Sequence, residues 1–128
     1  MPQLVVSLII KDHLGRYLMG RKRSTRLFCP PGGKVEDGER LKAAAKRELE
    51  EETGILVKKS SLVFLGYAEP KGRLVMFFAA EIGGQIPDNT EPHKTEDWKW
   101  VDLDSEPDSY FVEGIQIFRR KYHAHTSC

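Results

Sequence analysis

The segment GKVEDGERLKAAAKRELEEETGI, Gly33 to Ile55, decides how this chain is read. Its second half has the composition of a helix. Ala43, Ala44, Ala45, Leu41 and Leu49, with interspersed Lys, Arg and Glu, are strong helix formers, and Gly54 supplies a stop. Asp37 is the expected N-cap, its carboxylate accepting an early helical N–H. At about 3.6 residues per turn, Glu48, Glu51 and Glu52 fall within an arc of roughly 100°, while Glu50 points nearly the opposite way. Like charges at this spacing cost an isolated helix roughly 0.2–0.5 kcal/mol per pair, and these sit near the negative end of the helix dipole. Two readings account for the crowding. One is a solvated acidic face eased by the i,i+4 pairs Lys46–Glu50 and Arg47–Glu51. The other is a hard divalent cation that takes carboxylate oxygens and substrate phosphates together.

The surrounding spacing favours the cation. After Gly33 come five residues, Glu39, seven more, and then Arg47-Glu48-Leu49-Glu50-Glu51-Glu52-Thr53-Gly54-Ile55. This pattern resembles the Nudix box of the Nudix hydrolases at every prescribed position, including both apolar ones. Seven fixed residue types at about 6% usage each would coincide on the order of once in 10⁹ starting points, too rarely for chance to supply the match.

The rest of the chain is compatible with that resemblance. Its 128 residues fit one domain spanning residues 1–128, with the box at 33–55. Hydrophobic content of 40% and charged content of 30% describe a soluble globular protein. A net charge of +1 gives no general attraction to nucleic acid or membrane, so any affinity for phosphate must be local. Cys29 and Cys128 make no disulfide framework, which suits a reducing cytoplasm. The run LVVSLII is too short to span a bilayer, and no secretory leader is expected. His13, His93, His123 and His125 lack zinc-ligand spacing and are read as surface residues.

In chain order, Leu4 to Ile10 is an apolar, β-branched run expected to be a buried strand. Turn residues 12–16 join it to a second strand, Tyr17 to Arg23, as a hairpin. Arg21, Lys22 and Arg23 form a basic triplet that either clamps phosphates or keeps an edge strand soluble. Pro30-Pro31-Gly32-Gly33 is a restricted turn in which glycine permits close backbone approach, and Lys34 follows within reach of a phosphate. Leu62–Ala68 and Leu74–Glu81 are two further strands around a turn at 69–73. A loop from Gly83 to His93 precedes a strand at 97–101 with Trp98 and Trp100 on one face, as core or as a stacking surface for a base. A helix start near Ser105–Asp108 leads into Phe111, Ile115, Phe118 and Tyr122 at helical spacing, and residues 124–128 are expected to fray.

Strands interleaved with two helices indicate an α/β protein. The resemblance implies a Nudix-type α/β/α sandwich with a mixed β-sheet. It also implies a Mg²⁺-dependent pyrophosphohydrolase, with Mn²⁺ as a substitute. The implied metal site is Gly33 through its carbonyl, Glu48, Glu51 and Glu52. A further acidic ligand is expected from the loop before the last strand, Glu96 first and Glu91 behind it. Glu48 is general base or additional ligand, Arg47 holds the carboxylates, and Glu39 supports the loop. Arg21, Lys22, Arg23, Lys34, Phe28 and Trp98 are assigned to substrate binding. The segment EPHKTEDWKW (91–100) is similar to one in MutT-type nucleoside triphosphate pyrophosphohydrolases, which implies cleavage of ordinary or modified NTPs or dNTPs to NMP and pyrophosphate. That group often carries Arg at its basic second-strand position, where this chain offers Lys22 or Arg23. Dinucleoside polyphosphates, ADP-ribose and nucleotide sugars are alternative substrates. A non-catalytic nucleotide-binding module, or a purely structural domain, is a different class of reading. The expected partner is a small nucleotide, without nucleic acid or membrane, bound by a monomer or homodimer.

Overall fold

The computed structural model describes residues 2–123; the expectations for 124–128, including Cys128 and His125, lie outside them. A seven-stranded mixed sheet is organised on strand β1 (Gln3–Lys11). β1 runs parallel to β6 (Arg73–Glu81) along its whole length, from Gln3 opposite Arg73 to Lys11 opposite Glu81. Its other edge is divided. β4 (Gly32–Lys34) lies antiparallel to Val5–Ser7, and β2 (Tyr17–Lys22) meets β1 at Lys11 and Tyr17. The expected hairpin therefore closes at its turn and then splays, because the glycine strand takes the place beside β1. Asp12 holds that turn by accepting the N–H groups of Leu14 and Arg16. β2 continues onto β3 (Phe28–Cys29) and β7 (Thr95–Val101), while β5 (Val63–Ala68) borders β6.

Alternation along β1 separates two cores. Val6, Leu8 and Ile10 face helix α1 (Leu41–Thr53), packing on Ala44, Ala45 and Leu49. Ile9 lies in the opposite core, with Phe77, Phe111 and Ile115, beneath helix α2 (Glu113–Phe118). One helix on each face gives the α/β/α sandwich. Among the described residues no helix is long and apolar enough to cross a membrane.

Two helix boundaries differ from expectation. α1 begins at Leu41 after Arg40, with no side-chain cap, so Asp37 is not its N-cap. Gly38 adopts φ +76°, and Glu39 turns back to accept the Glu36 N–H, which makes 36–39 a turn. The other end is as read: Gly54, at φ 73°, donates its N–H to the Glu50 carbonyl. At the chain's far end, 108–110 is a 3₁₀ turn and Phe111 bridges to Phe28 in extended form. The helix is thus shorter than its periodicity suggested, starting at Glu113 and passing into a π-helical turn.

Candidate active site

The site forms where β4 meets the last turns of α1. A side chain at Gly32 would put its Cβ 2.2 Å from the Val6 carbonyl oxygen; without one, the Gly32 N–H donates to Glu52 Oε2 at 3.2 Å. Gly33 faces Glu48 in the same way, since a Cβ there would stand 2.5–2.6 Å from the Glu48 carboxyl atoms. The glycine pair therefore lays bare backbone against two carboxylates.

The three glutamates of the helical arc do share a flank, but their environments are unequal. Glu52 is only 8% exposed and the Glu48 side chain 13%, whereas Glu51 is 56% exposed. Burial pushes Glu52 up to about 7, against the opposing pull of Lys22 and the Gly32 N–H, with Glu48 and Glu91 adding to the rise. Burial likewise raises Glu48, and Arg47 opposes it. Arg47 organises the flank. Its Nε and Nη2 grip Glu39 at 2.7 and 2.9 Å, Nη1 donates to Glu48 at 2.9 Å and Glu51 at 3.2 Å, and Nη2 also donates to the Lys34 carbonyl. This fork holds Glu39 at about 2, well below the usual carboxylate range. Lys46 donates to the Val57 carbonyl instead of pairing with Glu50.

The loop before β7 is fastened to α1. Asp88 N–H donates to the Thr53 carbonyl at 2.8 Å and the Thr90 hydroxyl to the Glu51 carbonyl. This brings in Glu91, whose charge raises both Glu48 and Glu52. Glu96, expected to be the loop's contribution, is instead engaged by Arg26 and Arg23.

A cleft of about 360 Å³ opens beside Gly32 and Gly33 on the α2 face of the sheet. Lys22 and Lys34 line it, as the basic-triplet reading allowed. The other assigned residues sit as follows. Arg21 lays its guanidinium over Phe28 at 4.7 Å, and Phe28 itself is buried in the α2-side core. Arg23 donates to the Pro92 carbonyl. Trp98 is buried in the α1-side core against Gly20, where a Cβ would come within 2.8 Å of its ring, so it presents no face to a base. Residues overlooked by sequence reasoning include Ser7, Val75, Phe77, Ile115 and Arg73, all of which line the cleft. Ser7, Arg73, Val75 and Phe77 share odd parity along β1 and β6, hidden until the parallel register of those strands is known, and Ile115 comes from α2.

A divalent cation fits this donor set. Among the described residues no three Asp, Glu, His or Cys side chains already converge as a closed cage. A magnesium-like ion needs none, since it takes one or two carboxylates and fills its remaining positions with water and phosphate. Glu52, desolvated against the Gly32 N–H, and Glu51 on the same flank are donors of that kind.

Comparison with known proteins agrees with this geometry. The family model for the NUDIX domain matches residues 1–121. The chain is 30% identical over 135 aligned positions to an RNA pyrophosphohydrolase of Bartonella henselae, covering 80% of this chain and 77% of that one. It is 34% identical over 96 positions to a putative 8-oxo-dGTP diphosphatase of Bacillus subtilis, covering 73% and 62%. Among solved structures, a MutT NUDIX hydrolase of Burkholderia pseudomallei shares the fold, with a TM-score of 0.84 and 24% identity over 95% of this chain and 98% of that one.

Proposed function

Because the chain belongs to the Nudix family and is a Nudix hydrolase, we propose that it cleaves the pyrophosphate linkage of ordinary or modified nucleoside and deoxynucleoside triphosphates, giving NMP and pyrophosphate. The observation that carries this reading is the close approach of Gly32 and Gly33, which line a cleft with Lys22 and Lys34, to Glu52 and Glu48. Phosphates would meet the two lysines, and the nucleoside would lie on the apolar floor of Val75, Phe77 and Ile115. Mg²⁺, or Mn²⁺ in its place, would be held by the Gly33 carbonyl, Glu51 and Glu52, with Glu91 in the position first given to Glu96. Its contribution is to neutralise charge on the phosphoryl oxygens.

Glu48 is the proposed proton acceptor. As the oxygen of water bonds to phosphorus, a Glu48 carboxylate oxygen takes the water's proton, and the bridging P–O bond breaks with its electron pair leaving on the departing phosphate oxygen. The raised proton affinity of this desolvated group suits it to that role. Arg47, fixed by Glu39, keeps Glu48 and Glu51 from turning away.

A second substrate class is favoured by the relative named RNA pyrophosphohydrolase: the 5′-triphosphate end of an RNA, with the same linkage chemistry. One assay separates the readings. Mononucleoside triphosphates, dinucleoside polyphosphates, ADP-ribose, nucleotide sugars and a 5′-triphosphorylated RNA are compared at equal concentration with Mg²⁺. A mononucleoside triphosphate should be preferred in kcat/KM by about tenfold or more, a difference of roughly 1.4 kcal/mol in transition-state stabilisation. Dominant activity on ADP-ribose or on the RNA overturns the triphosphate assignment.

A further inference from the structure

Arg23 lies one residue beyond β2, yet its polar contacts converge on the segment that follows Glu91. Its backbone N–H donates to the Lys94 carbonyl at 2.9 Å and its Nε to the Pro92 carbonyl at 2.6 Å. Its Nη1 stands 4.0 Å from Glu96, which Arg26 also contacts. Arg26 makes that contact from φ 63°, a left-handed conformation that disfavours residues with a side chain.

The tied segment contributes nothing to either core, for Pro92, His93 and Lys94 are all exposed. What precedes it is half-buried Glu91, paired with Lys94 at 3.1 Å. From the other side the loop is held by Thr90 on Glu51, by Asp88 on Thr53, and by Asn89, whose amide donates to the carbonyls of Thr95 and Glu96. Glu91 is thus suspended between the end of α1 and the end of β2. Without the Arg23 side chain the bond to Pro92 is gone, while the backbone N–H on Lys94 stays. The Lys94 and Thr95 N–H groups still close the turn on the Glu91 carbonyl, at 3.0 and 3.1 Å, so what the Arg23 side chain adds is the hold on the turn's outer residue, Pro92.

We infer that Arg23 is a positioning residue: by tying Pro92 to the end of β2 through its guanidinium, it fixes the Glu91 carboxylate at the acidic flank and so strengthens the hold of that flank on a divalent cation. The inference rests on the cation reading proposed above. Outer contacts that orient a metal ligand commonly change affinity by about 10–100-fold when removed.

The test uses Mn²⁺ alone, without nucleotide, titrated into the full chain while the free ion is followed by electron paramagnetic resonance. Arg23→Ala should weaken Mn²⁺ binding by about tenfold. Glu91→Gln should weaken it at least as much, and the double variant should bind no worse than Glu91→Gln alone, because Arg23 acts through Glu91. Thermal melts confirm that each variant is folded. Should Arg23→Ala fail to fold, Arg23→Met keeps the aliphatic stem but drops the Nε donor on Pro92, and should weaken binding by about threefold, on the scale of a single lost hydrogen bond. Binding by the folded Arg23→Ala variant within about twofold of wild type, or losses that multiply in the double variant, overturns the role given to Arg23 and leaves the cation reading intact. If the wild-type chain takes up no Mn²⁺, both fall together.

Discussion

Two short runs of like charge end in opposite arrangements. Glu50-Glu51-Glu52 lies on a helix, where Glu51 and Glu52 join Glu48 on one flank and Arg47 braces two of the three. Arg21-Lys22-Arg23 lies on and just past a strand, and its members part company: Arg21 over Phe28, Lys22 in the cleft, Arg23 on the Pro92 carbonyl. Geometry explains the difference. A helix returns residues three and four apart to one face, whereas a strand spreads its residues along the sheet, and here an irregular register between Gly20 and Lys22 breaks the alternation. A charge run on a helix can act as a unit; on a strand each member must be read by itself.

The largest expected effect tests the unity of the acidic flank. Glu52→Gln should lower kcat by at least about 10²-fold, since the variant loses a carboxylate from the charge-stabilising site. It should also alter stability in the metal-free protein. The unfolded chain releases the Glu52 proton near 4.5, and burial delays release in the fold to about 7. Between those values the folded state retains a proton that the unfolded state has lost, so stability falls as pH rises through the window, by about 3 kcal/mol at its top. Urea denaturation in chelator at pH 5 and pH 8 should show this fall in wild type and its absence in Glu52→Gln. An active variant, or equal pH dependence in both proteins, would separate Glu52 from the site.

Much of this flank was legible because helical periodicity and the fixed box spacing are local. Gly54 stops α1 as its position indicated, and the Asp12 turn is equally local. The misreadings share a different cause. Asp37 lost the cap because Glu39 is recruited by Arg47, a partner a full helical stretch away. Glu96 is drawn into a contact with Arg26 from another loop, and Trp98 is fixed as core by the pairing of β7 with β2. The cleft needs the parallel register of β1 with β6, which no spacing within either strand reveals.

A smaller effect asks whether backbone belongs to the acidic unit. Gly33→Ala would place a Cβ 2.5–2.6 Å from the Glu48 carboxyl group, so that flexible side chain must move. Displacement by about 1 Å can cost roughly 10²-fold in rate when a reacting group is misplaced. The expected outcome is a fall in kcat of about 10–10²-fold with the melting temperature almost unchanged, because the displaced atoms are the far end of one side chain. Full activity would mean that Glu48 works from a position other than the one against Gly33.

The smallest effects divide the basic run. Arg21 and Phe28 form a cation–π contact of about 0.5–1 kcal/mol, and the Arg21 Nε is buried without a hydrogen-bond partner. Relief of that unpaired donor offsets part of the lost contact, so Arg21→Ala should cost no more than about 1 kcal/mol in urea denaturation and leave kcat/KM within about twofold of wild type. Lys22→Ala should do the reverse. Its ammonium lines the cleft and opposes the rise of Glu52, so its loss should raise KM for a triphosphate about tenfold, roughly one charge-assisted contact, with little change in stability. If the two variants instead behave alike, in rate or in stability, the triplet is acting as one basic surface after all, and strand alternation has not partitioned it.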